Sequence, residues 1–257
     1  MADLDTLART LRSLHRPGEP LLLANAWDVV SAKLVEELGF SALATSSHAV
    51  ADAFGEKDDD CMPADVAFGA VHRMAAAVSL PVTADLEAGY QLPAKQFAQR
   101  LLAAGAVGCN LEDSSHHAEG PLVEMERQAE YLRAVKDAAL GAGVDIVINA
   151  RVDTFVRRIG EPDLQFREGV RRARAYLAAG ADCVYPIFLA DQQMIGAFVN
   201  EVGGAVNIML RPGAPSVAVL AGLGVARISL ASGLHRAAMT AARQAAESFR
   251  TGTLYAG

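Results

Sequence analysis

Eight short apolar runs punctuate the chain: Leu21–Ala24, Ala42–Thr45, Val82–Ala84, Gly108–Leu111, Ile146–Ala150, Cys183–Phe188, Val206–Leu210 and Arg227–Leu230. Most are continuously apolar rather than alternating, the pattern of parallel strands covered on both faces. Between them the apolar residues change to helical spacing. Leu34, Val35 and Leu38 share one helical face, with Gly39 as a stop; Phe97, Leu101 and Leu102 precede Gly105; Tyr176, Leu177 and Ala178 precede Gly180. Pro63 is expected in the first turn of a helix running to Val78. A polar-amphipathic helix is expected near the N-terminus, and Ala237–Phe249 reads as a final helix packed outside the rest.

The stretches AAGAVGCNLED, AAGADCVYPIF and LAGLGVARISL share a helix end, a glycine, a small linker and a buried strand, and residues 35–45 repeat the scheme. This is the joint of a repeated βα unit. Eight such units in about 250 residues predict an α/β fold of the (β/α)8 TIM-barrel type, one domain over residues 1–257. An open doubly wound sheet is the alternative. It often carries a glycine-rich phosphate fingerprint after its first strand, and none is present.

Composition narrows the setting. Apolar residues make up 52% and charged residues 21%, which supplies a core and excludes disordered, collagen-like and coiled-coil chains. Lysine plus arginine is 23 against 30 aspartate plus glutamate, a formal net charge of −7 with no basic run. Nucleic acid and anionic membrane are therefore not expected as partners, although a local cationic pocket for a small anion is compatible with the balance. Cys61, Cys109 and Cys183 lie far apart, their count is odd and no Cys-x-x-Cys pair exists, so neither a disulfide framework nor a structural zinc site is indicated. No secretory apolar region and no stretch of roughly 18–20 apolar residues is found. A reducing, cytoplasmic setting is the expectation.

In a barrel, active-site groups gather at the carboxyl ends of the strands. Those ends read Asn25–Asp28, Thr45–His48, Asp85–Tyr90, Asn110–Asp113 and Asn149–Asp153. Asp85, Glu87 and Glu112 come from adjacent strands. Carboxylates gathered in one mouth repel unless a cation or protons compensate, and hard oxygen ligands suit magnesium or manganese. Arg151 adds a planar fork suited to a substrate carboxylate or phosphonate. The bland alternative is a set of helix caps and loop charges. Trp27 reads either as core or as a wall of the substrate pocket. His116 and His117 read as solvated loop histidines, and His235 as opening the last helix. The cysteines read as buried small apolar residues, except Cys61 near a charged loop. Phe54–Asp60 is the most charged run; it reads as a solvated loop or as a gate over the mouth, with Asp58 its catalytic candidate.

The series Trp27, Ser46-Ser47, Asp58, Asp85-Leu86-Glu87-Ala88-Gly89-Tyr90, Leu111-Glu112-Asp113 and Ala150-Arg151-Val152-Asp153 resembles the isocitrate lyase/phosphoenolpyruvate mutase superfamily, from about Leu21 to the final helix. The superfamily motifs Asp-x-Asp-x-Gly-[Tyr/Phe], Glu-Asp and Ala-Arg-x-[Asp/Glu] occur here in order, with Glu87 in place of the second aspartate. The resemblance implies a magnesium-dependent barrel acting on 2-oxo acids by cleaving or rearranging a C–C or P–C bond. It implies Asp85 as the metal carboxylate, Glu87 and Glu112 as orienting metal-bound waters, and Ser46 with neighbouring amides on the substrate carboxylate. Ser47 and Trp27 join the substrate-binding set. Arg151 would meet the far end of the substrate or the carboxylate cluster, and Asp58, Arg151 and Glu112 form the catalytic set. It also implies a homo-oligomer, dimer or tetramer, in which the final helix swaps between subunits.

The lyase branch carries a Lys-[Lys/Arg]-Cys-Gly-His loop after the Glu-Asp motif, whose cysteine is the acid/base. Here Ser114–Pro121 holds neither cysteine nor lysine, so ordinary isocitrate or methylisocitrate cleavage is not expected. The longer loop of the mutase and phosphonopyruvate hydrolase branches, with lysine and asparagine or threonine, is missing too; His116 or His117 could substitute. The reading is a magnesium- or manganese-dependent lyase or decarboxylase-like enzyme on a small 2-oxo acid. The alternatives are a P–C bond enzyme and a weakly catalytic 2-oxo-acid binding protein.

Overall fold

Each apolar run becomes a parallel strand in the computed structural model, which describes residues 3–117 and 119–252. The first elements are α1 (Leu4–Ser13), β1 (Leu21–Leu23), β2 (Asn25–Ala26), α2 (Val29–Glu37), β3 (Leu43–Thr45), α3 (Ser47–Phe54) and α4 (Ala64–Ala75). The middle of the chain forms β4 (Val82–Asp85), α5 (Ala94–Ala103), β5 (Gly108–Glu112), α6 (Met125–Gly141), β6 (Val147–Val152) and α7 (Pro162–Ala178). The remainder forms β7 (Cys183–Pro186), α8 (Gln192–Val202), β8 (Ala205–Met209), α9 (Val217–Gly222), β9 (Arg227–Ser229) and α10 (Gly233–Arg250). The strands run β1-β9-β8-β7-β6-β5-β4-β3-β2, all parallel. Because β1 and β2 are consecutive halves of one broken strand, the sheet closes into a TIM barrel.

The break has a side-chain cause. Asn25, buried at the seam, donates from Nδ2 to the Thr45 carbonyl at 2.8 Å and accepts from the Leu230 amide at 3.0 Å. Its amide stands in for ladder bonds where the first strand changes neighbours. The helices follow local chemistry. Asp28 and Ser31 form a reciprocal cap on α2, and Ser46 and Asp191 cap α3 and α8. Two boundaries differ from the sequence reading. Pro63 is the cap before α4 rather than part of its first turn, and that helix stops at Ala75. The last helix starts at Gly233, so His235 lies inside it.

At the amino-terminal ends of the strands α1 closes the barrel. Leu11 is fully buried, and Arg12 donates to Asp182 and to the carbonyls of Asp145 and Ile146 at 2.8–3.0 Å. Gly108 leaves the room this closure needs. A Cβ there would lie 2.8 Å from a Leu11 methyl and 2.9 Å from the Val147 carbonyl oxygen. Gly108→Ala is therefore expected to destabilise the fold by about 1–3 kcal/mol through overpacking. Urea unfolding measures this, and an unchanged midpoint would show that α1 shifts without cost.

Candidate active site

The carboxyl ends of β3, β4, β5 and β6 deliver Ser46 and Ser47, Asp85, Asn110 with Glu112, and Arg151 to one mouth. A cavity of about 430 Å³ there is lined by Ser46, Ser47, Asp58, Asp85, Asn110 and Arg151 on one side. Ile187, Phe188, Met209, Arg211 and Arg236 line the other. A smaller cavity of about 200 Å³ holds Glu87, Glu112, Ser114, His116 and Asp153, and Asp58 and Arg151 line both. Backbone strain collects at this rim: Asp60, Glu87, Tyr90, Gln91, Phe188 and Ala231 all have φ between +47° and +71°.

Asp85 is held by neutral donors alone. Ser47 donates to its Oδ2 from both the amide (3.2 Å) and the hydroxyl (3.0 Å), and Asn110 Nδ2 donates to its Oδ1 at 3.2 Å. Among the described residues no cation lies within ion-pair distance of it. Glu112 is 3% exposed and carries two partners, Arg151 on Oε2 and His116 Nε2 on Oε1 at 2.7 Å. Burial still raises its carboxyl to about 7 against the pull of Arg151. Glu87 accepts from the Asp60 amide on Oε2, while its buried Oε1 has no hydrogen-bond partner. Burial, then Asp58, then Glu112 push the Glu87 carboxyl up to about 8. Asp58, raised by burial and by Asp85, faces His48 Nδ1 at 3.4 Å.

Two loops are latched over these carboxylates. Asp60 is buried; its Oδ1 accepts from the Tyr90 amide at 2.8 Å and its Oδ2 meets His117 Nε2 at 3.0 Å. The charged segment after β3 thus reaches the mouth through Asp58 and is pinned by Asp60. The histidine reading is corrected here. The His116 side chain is 10% exposed because buried Glu112 draws it in, and that hydrogen bond raises its pKa. Ala118, in the same loop, lies outside the described residues.

Other sequence readings change as well. The two-point fork of Arg151 is taken by Asp153, with Nε and Nη2 each 2.7 Å from its carboxylate oxygens. Arg151 therefore belongs to the carboxylate cluster and offers a substrate only its remaining edge. Trp27 leaves the pocket. It packs edge-to-face on His235, ring centroids 4.9 Å apart, in a groove beside α10. Ser46 spends its hydroxyl capping α3. Cys109 and Cys183 are buried, with thiols raised to about 12, and exposed Cys61 is raised by its hydrogen bond to Asp59. None is a poised thiolate. Asn110, Arg211 and Arg236 were not singled out from sequence. A polar residue inside an apolar run was the available signal for Asn110. The two arginines had none, since their convergence depends on the ring.

The donor set suits a hard divalent cation of limited protein contact. Among the described residues Asp85 has no ion-pair partner and Glu87 Oε1 no hydrogen-bond partner. Yet no three His, Cys, Asp or Glu side chains among the described residues lie close enough to hold one ion together. The expectation that Asp85, Glu87 and Glu112 converge is thus corrected to a looser arrangement. Glu112 is committed to Arg151 and His116, and the fit is to magnesium keeping several waters on one or two carboxylates.

Comparison with known proteins gives the family of the chain. The family model described as phosphoenolpyruvate phosphomutase matches residues 11–250. The chain belongs to the phosphoenolpyruvate mutase/isocitrate lyase superfamily. It is 31% identical to the phosphoenolpyruvate phosphomutase of Streptomyces hygroscopicus, over 93% of this chain and 78% of that protein. A Burkholderia cenocepacia crystal structure provisionally described as a phosphonomutase superposes with a TM-score of 0.88 at 37% identity, covering 97% of this chain and 100% of that one. A phosphonopyruvate hydrolase solved with oxalate and Mg2+ superposes with a TM-score of 0.82 at 26% identity, covering 96% and 88%. Within this superfamily fold, the mouth described above occupies the carboxyl face of the barrel.

The charge imbalance has a measurable consequence. A carboxyl raised in the folded state binds its proton more tightly there than in the unfolded chain. Its stabilising contribution is complete below the unfolded value and lost as pH rises through the folded one. Chelator-treated protein should therefore lose a few kcal/mol, roughly, as pH rises from about 4.5 to the Glu87 value of about 8. Glu87→Gln should flatten that part of the profile. Thermal melts across this window test it; a parental slope in the variant would remove Glu87 as the cause.

Proposed function

We propose that this protein is a magnesium-dependent carbon–carbon lyase acting on a small 2-oxo acid through an enolate. The observation that carries the reading is a pair of mouth carboxyls with no ion-pair partner among the described residues, Asp85 and Glu87, beside a positively charged Arg151. The relative solved with oxalate and Mg2+ supports the pairing, because oxalate has the flat, two-oxygen edge of a 2-oxo acid enolate. Bound magnesium, or manganese, would supply Lewis acidity that polarises the 2-oxo carbonyl and stabilises the enolate left when a bond to C3 breaks.

The chain's own residues take the remaining roles. Asp85 would hold the metal, with Glu87 and Glu112 on its waters. Ser46 and Ser47, at the amino end of α3, suit the substrate carboxylate through the helix's positive end. Arg211 and Arg236, on the opposite wall and without carboxylate partners among the described residues, suit a second anionic group. Asp58 and the exposed edge of Arg151 face the reacting centre. His116, hydrogen-bonded to Glu112, is the group available to deliver a proton where the loop has no thiol. The exposed Met239 and Phe249 of α10 support a homo-oligomer, dimer or tetramer. A P–C bond enzyme is the second reading, favoured by the 31% identity to the Streptomyces hygroscopicus mutase.

In a thermal-shift series of oxaloacetate, 2-oxoglutarate and phosphonopyruvate with and without magnesium, a true ligand should stabilise by about 2.7 kcal/mol at a hundred times its Kd. Asp85→Ala should abolish the magnesium-dependent part. Its survival in folded Asp85→Ala protein would remove the metal assignment. Conversion of phosphonopyruvate to pyruvate plus phosphate, or its rearrangement to phosphoenolpyruvate, would decide for the second reading. His116→Gln should lower kcat by about 10²–10⁴-fold with KM little changed. Parental kcat would assign the proton to another group.

A further inference from the structure

Beneath the mouth the barrel interior holds a polar layer where bulky apolar residues are usual. Asn110, Asn149, Asn207 and Arg227 are buried there, at 7%, 0%, 0% and 1% exposure. Arg227, on β9, has no carboxylate within ion-pair distance among the described residues, and its Nε and Nη1 have no hydrogen-bond partner. Burying a guanidinium without a paired carboxylate is costly, so packing alone does not account for it. Among the described residues its guanidinium makes one hydrogen bond, upward from Nη2 to Asn110 Oδ1 at 3.2 Å. Asn149 Nδ2 donates to the same oxygen at 2.8 Å.

These contacts have a direction. A guanidinium only donates, so the Asn110 atom facing it must be the carbonyl oxygen. The Asn110 amide nitrogen is then turned to the other side, where it donates to Asp85 Oδ1 at 3.2 Å. Ser47 holds the other Asp85 oxygen. Asp85 is thus gripped on both oxygens, and the grip on Oδ1 can form in only one orientation of Asn110. We propose that Asn110 is a positioning residue for Asp85, its amide aimed by buried Arg227 and Asn149 so that the carboxylate is presented to a divalent cation in one fixed pose. This rests on the reading of Asp85 as the metal carboxylate.

The test titrates Mn2+ into chelator-treated full-length protein and follows free Mn2+ by electron paramagnetic resonance, with a thermal melt of every sample. The parent is compared with Asp85→Ala, Asn110→Leu and Arg227→Met. Loss of a residue that orients a metal ligand typically lowers affinity by about 10–100-fold. Asn110→Leu and Arg227→Met should show that loss in molecules that still melt cooperatively, and Asp85→Ala should bind more weakly still. A purely structural layer predicts the reverse, a lowered melting temperature with Mn2+ affinity intact. Asn110→Leu binding within about twofold of the parent while Asp85→Ala fails to bind would overturn the positioning role and leave the metal reading standing. Parental binding by Asp85→Ala would overturn the metal reading, and this inference with it. Should Asn110→Leu not fold, Asn110→Ser breaks the same chain without adding volume, and the same affinities decide.

Discussion

A carboxylate taken out of water needs a positive charge, a set of donors or a proton. The organisation of the barrel mouth follows from how that demand is met, residue by residue. Asp113 and Asp153 are satisfied within the protein. Asp113 accepts from Arg172, Tyr176 and the Asp153 amide, and Asp153 grips the fork of Arg151. Those bonds tie the ends of β5 and β6 to α7 and give the site a rigid wall. Glu112 is satisfied by Arg151 Nη2, shared with Asp153, and by drawing His116 inward. Asp85 and Glu87 are left incompletely matched. The division between architecture and chemistry in this mouth is therefore a division between matched and unmatched charge.

The barrel was legible because its signal is local and repeated. Each strand is a short apolar run followed by a helix ending in glycine, and all eight runs recur as strands. The broken first strand was not visible, since Asn25 reveals its role only when two non-adjacent strands flank it. At the site, Ser46, Ser47, Asp85, Glu87, Glu112 and Arg151 were marked by strand-end position and Asp58 by the charged run that holds it, and the structure brings all of them to the two adjoining cavities. Trp27 carried the same mark and failed, because α10 supplies a closer surface in His235. His116 reads as solvent-exposed in a sequence that cannot show a buried glutamate four residues away turning back toward it. Arg227 is hidden for a related reason: within an apolar run, an arginine pointing into a barrel and one pointing out look alike.

The superfamily spans enzymes that break C–C and P–C bonds on one platform; 2-methylisocitrate lyases and a phosphonopyruvate hydrolase are both among the relatives. This chain shares the superfamily's barrel, and its loop Ser114–Pro121 holds no cysteine. In that loop Ser114 and His116 stand against Asp153 and Glu112. The loop is thereby fastened to the floor it covers, through groups that hold protons rather than through a nucleophilic sulfur.

The seam at Asn25 has a consequence for how the molecule comes to be folded. Closing the ring joins that asparagine to Leu230, 205 positions along the chain. Loop-closure entropy on this scale is lost before any contact across the seam repays it, which slows folding. During synthesis, every partial barrel carries two bare strand edges until the last strand is available. Those edges are templates for another copy of the same chain. The seam is thus the point at which folding competes with aggregation, and one buried amide bridging both neighbours lets closure occur in a single register.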